Sequence, residues 1–190
     1  FFCEILLSIL WLACRRCSFS EAMTFARSRG LILMTDTLIL TIDVHAEPAA
    51  VFAVLADPAN HPAIDGTGWL RESLDPGPVT GEGQIFRIRM YHDNHPDGYY
   101  DMANKVIAFE ANRTVAWEPG QAGTDGELEF GGWTWRYDLE PVGPGQTRVR
   151  LTYDWSRVPA QLREHITFPP FPTSYLEGSL QNLSTLASGR

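Results

Sequence analysis

Trp133-Thr134-Trp135-Arg136-Tyr137-Asp138-Leu139-Glu140, a turn at Gly143-Pro144-Gly145, then Arg148-Val149-Arg150-Leu151-Thr152-Tyr153-Asp154-Trp155: the fold is decided by this stretch. Large apolar side chains stand at every second position, the period of a strand with one buried face. Folding about the turn sets Glu140 opposite Arg148 and Asp138 opposite Arg150 on one face. On the other face it aligns Trp133, Trp135, Tyr137 and Leu139 with Val149, Leu151, Tyr153 and Trp155. One face is charged and wet; the other needs a cover.

The cover is sought further along the chain. After the run Phe168-Pro169-Pro170-Phe171-Pro172, Ser174 and Glu177 have the spacing of a capping box, so a helix is expected to start there. Leu176, Leu180, Leu183 and Ala187 recur at helical spacing and form one apolar stripe. Upstream, residues 38–44 alternate as a first strand, and Ala46-Glu47-Pro48 opens a helix that carries Val51, Phe52 and Leu55 on one side. Asp57-Pro58 stops it, a short helical turn covers residues 59–64, and Asp65-Gly66-Thr67-Gly68 makes a turn. Further strands are expected over residues 69–73, 84–91, 99–109, 114–118, 133–140 and 148–155, joined as an antiparallel meander. The reading is an α+β fold: about seven curved antiparallel strands around a long C-terminal helix, with two short helices after strand one.

Residues 34–190 are read as one domain. A chain of this size buries roughly 70% of its unfolded surface without disulfides or structural metal. Residues 1–33 are expected to lie outside the fold, as an upstream extension or translated leader. The apolar run over residues 1–14 is shorter than the ~20 residues of a bilayer-spanning helix, so stable membrane insertion is not expected. Its basic pair follows the run instead of preceding it, which makes a poor signal peptide. All three cysteines, Cys3, Cys14 and Cys17, fall in that segment. The C-x-x-C pair there has no second pair or nearby His to complete a metal site, and the remaining domain suits a reducing, cytoplasmic setting. Without residues 1–33, which hold four basic and two acidic residues, the formal charge moves from −8 to −10. An acidic domain with no Lys/Arg cluster is a poor partner for nucleic acid.

The order of strand, two short helices, six strands and long helix resembles the SRPBCC superfamily of START-like and birch-pollen-allergen-like helix-grip proteins. Within it, the chain is similar to bacterial polyketide cyclase/dehydrase-like members. The likeness lies in Ala46-Glu47-Pro48 with Val51-Phe52, Leu55 and Asp57-Pro58, in Ile64-Asp65-Gly66, and in Asn104-Lys105-Val106-Ile107 through Ala116-Trp117-Glu118-Pro119. It continues in Trp135-Arg136-Tyr137-Asp138-Leu139 and Thr152-Tyr153-Asp154-Trp155. The resemblance implies a hollow between sheet and helix that takes a lipid, polyketide or other apolar small molecule. Some relatives catalyse, many carry, and some are co-chaperone domains, so the fold does not choose among these roles.

Candidate residues follow from the pattern. Phe86, Ile88 and Met90 share a face with Met102, Asn104 and Val106, so Asn104 is a polar group inside. A buried amide needs partners, and Asn104 is the candidate for orienting a ligand carbonyl, with Tyr100, Tyr137 and Tyr153 as hydroxyl donors; structural waters are the alternative. Trp117, Trp133, Trp135 and Trp155 either stack on a planar ligand or fill a closed core, while Leu176 and Leu180 face them from the helix. His61 and Asp65, four apart, offer a general base with an orienting carboxylate, or a plain Asx turn at Asp65-Gly66. His92-Asp93-Asn94-His95-Pro96-Asp97 carries metal-ligand chemistry at the wrong spacing and reads as a solvated hairpin loop. No metal or cofactor is expected, and a homodimer stays open. The chain lacks the G-x-S-x-G, Walker, G-x-G-x-x-G and H-E-x-x-H patterns, which argues against a serine hydrolase, NTPase, Rossmann oxidoreductase or zincin.

Overall fold

The computed structural model describes residues 32–34 and 36–189. The three cysteines, and the expected extension apart from its last two residues, therefore lie outside the described residues. The chain runs β1 (Ile32–Met34), β2 (Thr37–Val44), α1 (Pro48–Ala56), a 3-10 turn (Pro58–Asn60), α2 (His61–Ile64), β3 (Leu70–Ser73), β4 (Ile85–Tyr91) and β5 (Tyr99–Glu110). It continues with β6 (Thr114–Ala122), β7 (Leu128–Phe130), β8 (Thr134–Gly143), β9 (Gln146–Asp154), α3 (Ala160–Arg163) and α4 (Thr173–Ala187). One antiparallel sheet has the order β1-β2-β9-β8-β6-β5-β4-β3, with β7 added beside β6. The seven expected strands are all present, and two three-residue strands, β1 and β7, join them. The sheet wraps α4 in a helix-grip arrangement.

The deciding hairpin has the register its sequence predicts: Trp135 pairs with Tyr153, Tyr137 with Leu151, Leu139 with Val149, Asp138 with Arg150 and Glu140 with Arg148. Pro144 and Gly145, at φ 64°, form the reversal, because proline presets the first central residue and glycine tolerates the second. The outer-face charges choose other partners than those directly across. Arg148 reaches Asp43 on β2 at 2.8 Å, and Arg136 reaches Asp138 on its own strand at 2.7 Å. Such exposed pairs contribute little each.

Two expectations need correction. β6 runs past Glu118 to Ala122. Pro119 brings no N–H to the ladder, and the strand changes partner there: Thr114 to Trp117 pair with β8, and Gly120 to Ala122 with β7. The Ser174/Glu177 capping box is also not what starts the last helix. α4 begins at Thr173 with Pro172 as its N-cap, a residue that makes no side-chain cap bond. Proline's preset φ ends the preceding extended run two residues earlier than the box requires. The stripe itself is as read: Leu176, Leu180 and Leu183 are buried, with Ser179 among them.

α1 begins at Pro48, and Val51, Phe52 and Leu55 face the core. The Asp57 carboxylate accepts the Ala59 N–H at 3.0 Å, which turns the chain directly into α2. At the far end, the Glu47 carboxylate accepts the Gly145 N–H at 2.9 Å and ties the start of α1 to the β8–β9 turn. α2, and with it His61, packs against α4 and β3.

Candidate functional site

Between the concave sheet and α4 lies a cavity of about 210 Å³. Its sheet wall is built by Phe86, Ile88 and Met90 on β4, by Tyr100, Met102 and Asn104 on β5, and by Trp117 on β6. Trp133, Trp135 and Tyr137, at and within β8, and Tyr153 on β9 complete the wall, with Leu176 opposite on α4. The β4–β5 register brings these residues together, pairing Phe86 with Asn104, Ile88 with Met102 and Met90 with Tyr100. Leu180, the remaining expected lining residue, is instead buried in the core away from the cavity, one helical turn beyond Leu176. Trp155 also serves the core, stacked near Phe168.

His61 is almost fully enclosed. Its ring stacks on Trp117 with centroids 5.1 Å apart and meets Phe86 edge-on at 5.4 Å. Nε2 lies 2.9 Å from the Leu55 carbonyl oxygen, an acceptor, so Nε2 carries the proton and donates it. Nδ1 is left as a lone pair with no hydrogen-bond donor among the described residues. Burial pushes the ring's pKa below its ordinary 6.5, against the raising effect of the Leu55 carbonyl and of Asp57, so the ring is neutral at pH 7. The expected carboxylate partner, Asp65, is not bonded to the ring. Asp65 accepts the N–H groups of Thr67, Trp69 and Leu70 at 2.8–3.0 Å and the Thr67 hydroxyl at 2.8 Å. This is the Asx-turn alternative, extended into a four-donor cap at the start of β3. The ring is oriented by a backbone carbonyl six residues upstream.

A pH dependence follows from the His61 shift. The unfolded ring takes a proton as pH falls below 6.5, while the folded ring resists it, so the unfolded state binds more protons and stability falls with pH. Thermal melts between about pH 7 and pH 5 are expected to show this loss, and His61→Gln, which keeps a donor for Leu55 but cannot titrate, is expected to flatten it.

Asn104 is buried, and its Nδ2 makes only long contacts, 3.5 Å to the Phe86 carbonyl and 3.4 Å to that of Met102. Its side-chain oxygen meets no donor among the described residues. Nor do the hydroxyls of Tyr100, Tyr137 and Tyr153 make a protein hydrogen bond there. Burial raises all three phenol pKa values, and the charge of Asp65 raises those of Tyr100 and Tyr137 further, so these hydroxyls keep their protons. The cavity therefore offers phenolic donors, an amide acceptor and an imidazole lone pair within aromatic walls.

Several wall residues lie outside the sequence reading. Trp69 precedes β3, and Ile166, Phe168, Pro170 and Phe171 come from the segment between α3 and α4. Phe171 stacks on Trp135 at 5.8 Å and lies 5.3 Å from Tyr153. The aromatic, proline-rich composition of that segment was its only sequence signal. The 92–97 segment also departs from a plain solvated loop. His95 stacks on Tyr100 at 4.8 Å, and His92 meets Trp69 edge-on at the same distance, while its Nδ1 accepts the Asn94 N–H. Among the described residues, no group of three or more His, Cys, Asp or Glu is placed to hold a metal ion, and no helix is long and apolar enough to cross a membrane.

Comparison with known proteins agrees with this architecture. The protein Rv0088 of Mycobacterium tuberculosis, itself uncharacterised, is 29% identical over 115 residues, which cover 60% of this chain and 46% of that protein. The chain thus spans about half the length of the curated relatives it matches. Among solved structures, NE0264 from Nitrosomonas europaea superposes with a TM-score of 0.59 at 17% identity, over 83% of this chain and 97% of that one. CV1439 from Chromobacterium violaceum gives 0.58 at 14% identity, over 82% and 99%. At these identities the likeness is one of fold. Residues 37–188 match the family described as polyketide cyclase / dehydrase and lipid transport, and with four-fifths of its length in that match the chain belongs to this family.

Proposed function

We propose that the protein binds a compact apolar small molecule, a single ring or short hydrocarbon body with a polar substituent, in the cavity under α4. The observation that carries this reading is the set of polar groups on the cavity lining without protein partners: three phenol hydroxyls and the Asn104 side-chain oxygen. These groups border the cavity, where water can pair them in the free protein, so a ligand that displaces that water is favoured only if it reproduces their hydrogen bonds. An apolar cavity of about 150 Å³ takes a benzene-sized molecule, so about 210 Å³ suits one substituted ring better than a long acyl chain. Thermal melting against a panel of lipids and aromatic ketones tests it: small aromatic ketones are expected to raise the melting temperature, and no shift across the panel would count against binding. Tyr137→Phe removes a hydroxyl that no protein group uses. It is expected to leave the stability of the free protein within about 1 kcal/mol of unchanged and to weaken a carbonyl ligand several-fold by calorimetry.

A second reading, a cyclase or dehydratase acting on a poly-carbonyl substrate in the same cavity, draws support from His61. A neutral imidazole with Nε2–H held by Leu55 and Nδ1 unbonded is in the protonation form of a general base, with its basicity lowered by burial. Asn104 and the phenols would then hold the carbonyl oxygen on which negative charge grows. Under this reading His61→Ala and Asn104→Leu lower turnover far more than they lower the melting temperature, and unchanged turnover in both would remove them from the mechanism. A co-chaperone-like interaction domain, the third reading, calls for an interior packed solid, and the cavity counts against it.

A further inference from the structure

We infer that Asp65 makes the cavity selective for charge: it favours an amine-bearing ring ligand over the neutral isostere and rejects the carboxylate. This rests on the binding reading and sharpens its ligand class. Asp65 is on the cavity lining together with Thr67 and Trp69, and it is only partly buried. The lining residues include no Lys or Arg, and no cation pairs with Asp65 among the described residues. Its other ionisable groups favour neutrality: His61 through burial, and the phenols through burial and the charge of Asp65. One negative charge is therefore the whole formal charge of the lining at pH 7.

The carboxylate cannot relax away from this role. A carboxylate has about four lone-pair sites, and three backbone N–H groups and the Thr67 hydroxyl occupy them. The anion is held in place by neutral donors, which fix its position and temper its field but leave its net charge without a counter-ion. In surroundings less polar than water, a charge acts strongly at short range. An anionic ligand would lose its hydration and meet this field with no basic residue to offset it, and the phenol donors serve a neutral acceptor as well. An ammonium group is attracted by the carboxylate and also by the aromatic faces of Trp69, Trp117, Trp133 and Trp135, whose ring quadrupoles favour cations.

Phenylethylamine, phenylethanol and phenylacetate share a ring and nearly a shape, and differ in charge. Calorimetry of the full chain with each, at low and high salt, is expected to show the amine binding about tenfold more tightly than the carboxylate, with the alcohol between and the spread narrowing as salt rises. Asp65→Asn is expected to abolish the order. Because that change also disturbs the cap of β3, Gln121→Lys gives an independent check, placing a cation on the lining with Asp65 intact; it is expected to raise phenylacetate affinity. Equal affinities for the three probes, or tightest binding of phenylacetate, would overturn the charge inference and leave the binding reading standing. No binding by any of them would overturn the binding reading itself.

Discussion

Gly66→Ala is expected to lower stability by about 3 kcal/mol, the upper end of the cost of overpacking, and the melting temperature by roughly 6–12 °C. A methyl group on Gly66 would sit 2.1 Å from the Tyr175 carbonyl oxygen and 2.8 Å from the Ser179 nitrogen, both backbone atoms of α4. A flexible side-chain tip swings aside; helix backbone does not. The Gly66 N–H also donates to the Ser179 hydroxyl at 2.9 Å, and that hydroxyl donates to the Tyr175 carbonyl at 3.1 Å. The substitution must therefore push α4 outward and break this bridge together. Gly81→Ala is the control, since a methyl group there meets nothing within 4 Å, and a near-neutral change is expected. Chemical denaturation of both variants checks the pair; equal midpoints would show that α4 is not seated on Gly66.

Trp117→Ala is expected to cost about 3–5 kcal/mol and to change what the cavity admits. The indole touches His61, Phe86 and Tyr137, with centroids 5.1, 5.7 and 5.7 Å away, so it joins the imidazole to the sheet. Removing it enlarges the cavity, and two-ring ligands are expected to gain affinity relative to one-ring ligands. It also exposes His61. Since burial is the largest cause of that ring's lowered pKa, the value is expected to rise toward the ordinary range in Trp117→Phe and further in Trp117→Ala, as read by NMR titration of the ring protons. An unmoved His61 titration would place the cause of its shift elsewhere.

Why these two positions matter was legible to different degrees. Trp117 stands in the run Ala116-Trp117-Glu118-Pro119, and its inward face follows from alternation along β6. Gly66 was visible as a turn residue and in the family-like run Ile64-Asp65-Gly66, but nothing in its local sequence reports that Ser179, 113 residues later, comes within bonding distance. The same contrast holds across the site. The face shared by Phe86, Ile88, Met102 and Asn104 could be read from period-two patterning, since the pleat sends every second side chain the same way. The partner of His61 could not. Spacing suggested Asp65, yet three N–H groups at the start of β3 compete for that carboxylate, and the helix end at Leu55 supplies the acceptor for the ring.

Residue order by itself determined the periodic features: the strands, the pairing of β8 with β9 about Pro144-Gly145, the apolar stripe of α4, and hence which side of the sheet is covered. Those depend on neighbours within a few positions and on the two-residue and 3.6-residue repeats of the backbone. Tertiary structure alone decided that Phe171 closes on Trp135, that Leu180 serves the core while Leu176 serves the cavity, and that Gly66 is seated against Tyr175 and Ser179. Each of these turns on how far apart two distant segments come to rest, and a repeat along the chain sets a direction for a side chain without setting that distance.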